Sequence, residues 1–153
     1  EHYHTIWVPE FAREYIQFIQ RPYTFDDIEV MAKEQVNREN IYIKNANKCL
    51  FCDTDILVTK IWSDFVFGKC SNWIDEQLIK HQYDFHLLCD IDLEWEYDPQ
   101  REHPHKRKEL FEIYKNHLIN LNFPFAIVNG LGENRTLNAI KIVDKQFDKY
   151  HEL

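Results

Sequence analysis

The chain has 153 residues, which is the length of one ordinary domain. Hydrophobic residues make up 44% and charged residues 29%, a balance typical of a folded globular protein and not of a disordered one. The formal net charge of -8 disfavours nonspecific binding to nucleic acid and to anionic lipid surfaces.

The sequence shows no targeting or membrane signal. No apolar run approaches the roughly 18–20 residues that cross a bilayer, and residues 1–14 lack the apolar region of a signal peptide. We therefore expect a cytoplasmic protein whose cysteines are reduced thiols. These are Cys49, Cys52, Cys70 and Cys89.

The first half of the chain predicts two strands and three helices. Residues 5–8 predict a short strand that ends at Pro9. Thr24 is a candidate helix N-cap, since Asp27 follows three residues later and apolar residues continue at helical spacing. A second strand is predicted over 48–52. Two helices then follow, one with an apolar face made by Val58, Ile61, Trp62 and Phe65, and a short one capped by Ser71.

The second half repeats the alternation. The predicted elements are a strand over 83–89, a long helix over 110–121, a strand over 123–128 and a last helix over 137–150. Strands alternating with amphipathic helices predict an α/β fold of three layers, with a parallel sheet covered on both faces. Ligands bind such sheets beyond the carboxyl ends of the strands.

Polar and charged side chains follow each predicted strand. They are Glu10 and Arg13 after the first, Asp53 and Asp55 after the second, Asp90, Asp92, Asp98, Arg101 and Arg107 after the third, and Asn129 with Gly130 and Gly132 after the fourth. Carboxylates there could hold magnesium through water or accept a proton from a hydroxyl. Arginines on a loop could neutralise a transferring phosphoryl group. Any one of these residues could equally be an ordinary loop residue, but the set of four strand ends favours a functional site.

Three segments in this order resemble the ribosylnicotinamide kinase domain of the NadR family. They are Pro-Glu-Phe-Ala-Arg-Glu-Tyr at 9–15, Cys-Asp-Thr-Asp at 52–55, and the stretch from Leu88 to Arg101. The resemblance runs from about Ile6 to the end of the chain. It implies a P-loop kinase fold related to deoxynucleoside and thymidylate kinases, with ATP and magnesium as cofactors.

The resemblance also implies roles for residues on the acceptor side. Glu10 would approach the substrate hydroxyl as a base, and Arg13 would support it or contact the substrate. Asp53 would act near magnesium, and Asp55 would help to bind the sugar.

Further roles are implied for the second half of the chain. Arg101 and Arg107 lie in a lid-like segment, residues 93–108, and would clamp the phosphates. Trp95 could stack on a base or a nicotinamide ring, and Asp98 is a second substrate-binding candidate. The loop formed by Asn129, Gly130, Gly132 and Glu133 would lie beside the adenine ring.

The phosphate-binding motif of the family, Gly-x-x-x-x-Gly-Lys-Ser/Thr, does not occur in these 153 residues. The glycines are Gly68, Gly130 and Gly132, and none has the required frame. We expect a single kinase-like domain that is incomplete at its N-terminus, lacking a strand, the loop and most of a helix, roughly 20–30 residues. A fragment is favoured over a natural remnant, since Glu10, Asp53, Asp98 and Arg101 are all present. Because the first strand of such folds lies inside the sheet, we expect homo-oligomers, strand exchange or low stability.

The resemblance thus predicts ATP-dependent phosphorylation of a nucleoside-type hydroxyl, with ribosylnicotinamide first among the acceptors, by the complete protein. Residues 1–153 alone are expected to be inactive. The alternative is a noncatalytic binding or assembly module that uses open sheet edges to recruit a partner strand. A third possibility keeps the fold and changes the acceptor to another nucleoside or a nucleotide.

Overall fold

The structure is a computed structural model that describes residues 2–98 and 103–151. It divides into two compact units, residues 1–82 and residues 83–153. Each unit contains parallel strands and helices, and each is described below by itself. Among the described residues, no helix combines the length and the hydropathy that crossing a membrane requires.

The first unit has two short strands and four α-helices. Its elements are β1 (Trp7–Val8), α1 (Phe11–Ile19), α2 (Phe25–Tyr42), a 3-10 turn (Ile43–Asn45), β2 (Phe51–Cys52), α3 (Ile56–Phe67) and α4 (Asn72–Lys80). The strands β1 and β2 pair in parallel, with Trp7 opposite Phe51 and Val8 opposite Cys52. The residues that follow both strands therefore leave the sheet at the same end.

The core of the first unit is built around α2. Ile28, Met31, Ala32 and Val36 recur at helical spacing and are buried. They belong to a buried set that also contains Val8, Ile56, Leu57, Ile61, Ile74 and Leu78. The helix α2 contacts β1, α1, α3 and α4, so its polar positions can reach segments that are distant in sequence.

Within its described residues, the second unit has two strands and two α-helices. Its elements are β3 (His86–Cys89), a 3-10 turn (Pro104–Lys106), α5 (Arg107–Asn120), β4 (Phe125–Val128) and α6 (Gly132–His151). The strands are parallel, from His86 opposite Phe125 to Cys89 opposite Val128. Leu118 of α5 and Val128 of β4 are buried.

The predicted α/β class with parallel strands is confirmed, but the strands are short. In the parts of the chain that the structure describes, the strands form two separate two-stranded sheets, β1–β2 and β3–β4, and not one continuous sheet. The predicted association of these residues stays a prediction.

The predicted helix starts agree with the structure at Thr24 and Ser71. Asp27 accepts a hydrogen bond from the Thr24 N–H at 2.7 Å, which closes the capping box of α2. The Ser71 hydroxyl accepts from the Ile74 N–H at 3.3 Å and caps α4. The helix α1 was missed, because its N-cap residue Glu10 makes no side-chain cap bond and so gives no start signal.

Candidate active site

Glu10 stands between β1 and α1, two residues beyond the last residue of the strand. Its carboxylate oxygen Oε2 lies 3.3 Å from Arg13 Nε, and its side chain is 29% exposed. Arg13 therefore contacts Glu10, whose side chain is partly exposed beyond the end of the strand; the roles expected for both residues stay predictions.

The segment after β2 begins with Asp53, whose N–H donates to the Val8 carbonyl at 2.8 Å. Asp53 thus extends the parallel pairing by one residue, and its side chain is exposed. Thr54 has a positive φ of 69°, a conformation that turns the chain sharply into α3. Asp55 then accepts from the Val58 N–H at 2.8 Å and caps α3, so its carboxylate already has a structural task.

Gln35 of α2 connects the two strand ends. Its Oε1 accepts from the Phe11 N–H at 3.1 Å, and its Nε2 donates to the Asp53 carbonyl at 3.5 Å. The side chain is 4% exposed. One buried amide therefore contacts the residue after Glu10 and the backbone of Asp53 at the same time.

Further contacts fix α1 on α2. Arg38 Nη1 donates to Glu14 at 2.9 Å, and the Arg38 guanidinium lies 4.4 Å from the centre of the Phe11 ring. The bond from Arg38 holds the pKa of the Glu14 carboxyl below its usual range. The Tyr15 hydroxyl donates to Asp27 at 2.7 Å. The helix that begins beside Glu10 is thus anchored along its length.

The thiol of Cys52, one residue before Asp53, is not a nucleophile. Burial, followed by the nearby Glu39 carboxylate, raises the pKa of Cys52 to about 12, and the thiolate is the reactive form of cysteine. Glu39 itself is buried and lies 2.6 Å from His81 Nε2. All four cysteines are free, as expected.

The Asp53 side chain fits magnesium only as one ligand among several. Within residues 2–98 and 103–151, no cluster of three or more His, Cys, Asp or Glu side chains could hold a metal ion. Magnesium, however, is usually held by one or two carboxylates together with water and substrate phosphates. One exposed carboxylate at a strand end matches that pattern.

In the second unit, Arg135 of α6 holds the loops that follow β3 and β4. Its Nη1 lies 2.5 Å from Asp92 Oδ1 and donates to the Gly130 carbonyl at 3.2 Å, and its Nη2 donates to the Asp90 carbonyl at 2.8 Å. The Gly130 N–H donates to Asp92 Oδ2 at 2.6 Å. This bond and Arg135 keep the pKa of Asp92 below its usual range. The two loops are thereby joined.

The predicted adenine-side loop has a conformation that only glycine accepts at Gly130. Its φ is +107°, and an added Cβ would lie 3.2 Å from Asn138 Nδ2. Asn138 Nδ2 also donates to the Asn129 carbonyl at 3.1 Å. Gly132 has a φ of +52° with open space around it, and Glu133 is exposed in the first turn of α6.

The lid-like segment 93–108 is described in part. Arg107, the first residue of α5, donates from Nη2 to the carbonyls of Leu93 at 2.7 Å and of Ile91 at 3.3 Å. Trp95 is 40% exposed, with Tyr97 at 6.2 Å between ring centres. Asp98 is partly exposed. Arg101 lies outside the described residues.

The structure thus brings together the segments of Glu10 and Asp53 in the first unit, and those of Asp92 and Gly130 in the second. Sequence reasoning missed the two residues that make these connections, Gln35 and Arg135. Gln35 lies between Ala32 and Val36 on the buried face of α2, and a polar residue at that apolar spacing was the available signal.

Comparison with known proteins places this arrangement in a family. A family model described as an AAA domain matches residues 1–135. The chain belongs to this family of P-loop NTPases. A comparison with curated proteins gives no match.

Two solved structures share the fold. One is the NadR protein in complex with NR, at 21% identity and a TM-score of 0.71, covering 91% of this chain and 43% of that one. The other is the NadR protein in complex with NAD and AMP-PNP, at 20% identity and a TM-score of 0.60, covering 82% and 37%. The chain therefore has a NadR-like P-loop kinase fold, and it spans less than half the length of either structure.

Proposed function

We propose that the protein transfers the γ-phosphoryl group of ATP to a hydroxyl of a nucleoside-type acceptor, with ribosylnicotinamide as the first acceptor to test. The observation that carries the proposal is the position of Glu10 and Asp53. They follow neighbouring parallel strands at the same end, which is the edge where α/β folds bind ligands. The NadR-like fold, in a protein solved with NR and with AMP-PNP, supports this choice of acceptor and donor.

In the proposed reaction, the acceptor oxygen attacks the γ-phosphorus while the bond between that phosphorus and the bridging oxygen of ADP breaks. The acceptor proton passes to the Glu10 carboxylate, which Arg13 holds at 3.3 Å. Magnesium, when bound with the nucleotide, would neutralise phosphate charge, and Asp53 is its candidate ligand. Positioning and charge neutralisation supply most of the catalysis in such transfers.

The second unit is proposed to serve the nucleotide. Asn129, Gly130, Gly132 and Glu133 form the candidate adenine-side loop, whose shape the Arg135 contacts fix. Arg107 and Arg101 are the candidate phosphate contacts, and Trp95 and Asp98 are candidate substrate contacts. Residues 1–153 alone are expected to give no turnover, since they contain no Gly-x-x-x-x-Gly-Lys-Ser/Thr.

The test compares Glu10→Gln with Glu76→Gln in the complete protein that contains this chain and a phosphate-binding loop. Glu76 is an exposed carboxylate on α4 that pairs with Lys80, one helical turn away, at 2.7 Å. With ribosylnicotinamide and ATP, Glu10→Gln should lower kcat by at least about 100-fold, and Glu76→Gln should leave it unchanged. Equal kcat values for the two variants would exclude Glu10 as the base. A panel of other nucleosides, assayed in parallel, identifies the acceptor.

A second candidate function, assembly through sheet edges, is favoured by the two-stranded sheets. Since Asp53 and Phe51 direct their backbone groups toward β1, the intervening Cys52 directs its N–H and C=O away from that strand. Such an edge can accept another strand. Sedimentation of residues 1–153 over a range of concentrations tests this. A constant monomer mass would rule it out.

A further inference from the structure

We propose that Gln35 is a positioning residue, which holds the segments of the proposed base Glu10 and of the magnesium-side residue Asp53 in one fixed arrangement; the inference rests on the phosphoryl transfer proposed above. Gln35 touches neither the acceptor nor the nucleotide in this scheme. It acts through the backbone on either side of the site, at Phe11 and at Asp53.

Gln35 fixes the start of α1. The first N–H groups of a helix have no partner within the helix, and Glu10 supplies no cap to α1. Gln35 Oε1 fills this role from another helix by accepting the Phe11 N–H at 3.1 Å. The backbone that carries Glu10 is thereby fixed to α2.

Gln35 also restrains the segment after β2. Gln35 Nε2 lies 3.5 Å from the Asp53 carbonyl, and the next residue, Thr54, has a positive φ of 69°. A strained turn persists only where its surroundings hold it. The donor from Gln35 is one of these restraints, beside the pairing of the Asp53 N–H with Val8.

The chemistry of the site requires an amide. Gln35 accepts at one end and donates at the other, and at 4% exposure water cannot replace either bond freely. Methionine has a similar volume but neither function, and an ionised glutamate cannot donate to the Asp53 carbonyl. Met31, Ala32 and Val36 fill the same helix face with apolar side chains, so packing alone does not require an amide at position 35.

The first test uses residues 1–153 and needs no activity. In Gln35→Met, amide hydrogen exchange should accelerate at Phe11, and the carbonyl ¹³C shift of Asp53 should move. The Ile74 amide, which Ser71 caps at the start of α4, should keep its protection and so exclude global unfolding. The exposed Gln17 on α1 supplies the control, Gln17→Met. A change at only one of the two sites, or at neither, would overturn the proposal.

The second test uses the complete protein. Gln35→Met should lower kcat by roughly 10- to 100-fold per folded molecule, with the acceptor KM unchanged, whereas a purely stabilising residue would change only the folded fraction. If Gln35→Met does not fold, Gln35→Asn replaces it, since its shorter side chain cannot span both partners. Unchanged kcat in an active enzyme refutes the positioning role. An inactive wild-type protein refutes the proposed function instead, and the exchange and shift data then decide the role of Gln35.

Discussion

Asp27 accepts five hydrogen bonds, and replacing it with Asn is expected to destabilise the first unit by about 2–3 kcal/mol at neutral pH. The side chain is 5% exposed. It joins the loop before α2 to the helix itself and to α1. Its loss should therefore weaken the packing of α1 on α2, which positions Glu10 beside Gln35.

The magnitude follows from the contacts. Asp27 accepts from Tyr15 Oη at 2.7 Å, from Arg21 Nη1 and Nη2 at 2.7 and 2.8 Å, and from the Thr24 N–H and hydroxyl at 2.7 and 2.8 Å. An Asn side chain offers one acceptor oxygen, so the paired contact with Arg21 is lost. The Arg21 side chain is 49% exposed, so water can replace the hydrogen bonds that it loses. The free energy of unfolding should therefore fall by the equivalent of one or two charged hydrogen bonds, at about 1.5 kcal/mol each.

The effect should depend on pH. Arg21, Tyr15 and Thr24 together hold the pKa of Asp27 far below its usual range, although burial opposes them. A carboxyl whose pKa is depressed on folding stabilises the protein fully above its unfolded pKa of about 3.9 and loses that contribution as the pH falls further. Wild-type protein should therefore lose part of its stability below about pH 4, and Asp27→Asn should lose less.

Urea denaturation followed by tryptophan fluorescence at pH 7 and at pH 3 measures both effects. Asp26→Asn is the matched control, because Asp26 is the neighbouring exposed carboxylate in the same helix turn. The midpoint of thermal unfolding should fall by roughly 4–12 °C in Asp27→Asn and little in Asp26→Asn. Equal stability of the two variants at pH 7, with equal acid sensitivity, would refute the reasoning.

Substitutions at three further residues test other contacts. Gly130→Ala should lower the free energy of unfolding by about 1–3 kcal/mol in urea denaturation, because the φ of Gly130 is +107° and an added Cβ would crowd Asn138. It should also raise the KM for ATP in the complete protein, and an unchanged KM would exclude the loop from the nucleotide site. Arg135→Met should accelerate amide exchange at Gly130, and Arg135→Lys should not restore protection, since one ammonium cannot reproduce the fork. Ser71→Ala should lower the free energy of unfolding by about 1 kcal/mol, because the α4 cap is lost. An unchanged unfolding midpoint would contradict this expectation.

Local signals in the sequence predicted most helices and the parallel α/β class. Two helix starts could be predicted because each capping bond joins residues only three positions apart. The sequence shows these residue types directly: Thr24 with Asp27, and Ser71 before an apolar stripe. The strands were predicted too long. Residues 5–8 and 83–89 are apolar enough for strands, but ladder pairing is confined to Trp7–Val8 and His86–Cys89, and pairing depends on a neighbour that one segment cannot reveal.

The contacts that shape the candidate site could not be predicted, because they join residues far apart in sequence. Gln35 contacts Phe11 across 24 positions, and Arg135 contacts Asp92 across 43. The helix α1 escaped prediction for the same reason, since its first N–H is capped by Gln35 of another helix. Sequence identified the carboxylates at strand ends, and tertiary structure revealed what holds them.

The most direct test of the kinase proposal is product stoichiometry with the complete protein. Ribosylnicotinamide and ATP are incubated with enzyme and magnesium, and ADP and the phosphorylated acceptor are quantified by mass spectrometry. The account predicts equal amounts of ADP and of acceptor carrying one added phosphoryl group, both strongly reduced in Glu10→Gln. ADP formed without phosphorylated acceptor from any nucleoside tested, or transfer that is insensitive to Glu10→Gln, would contradict it.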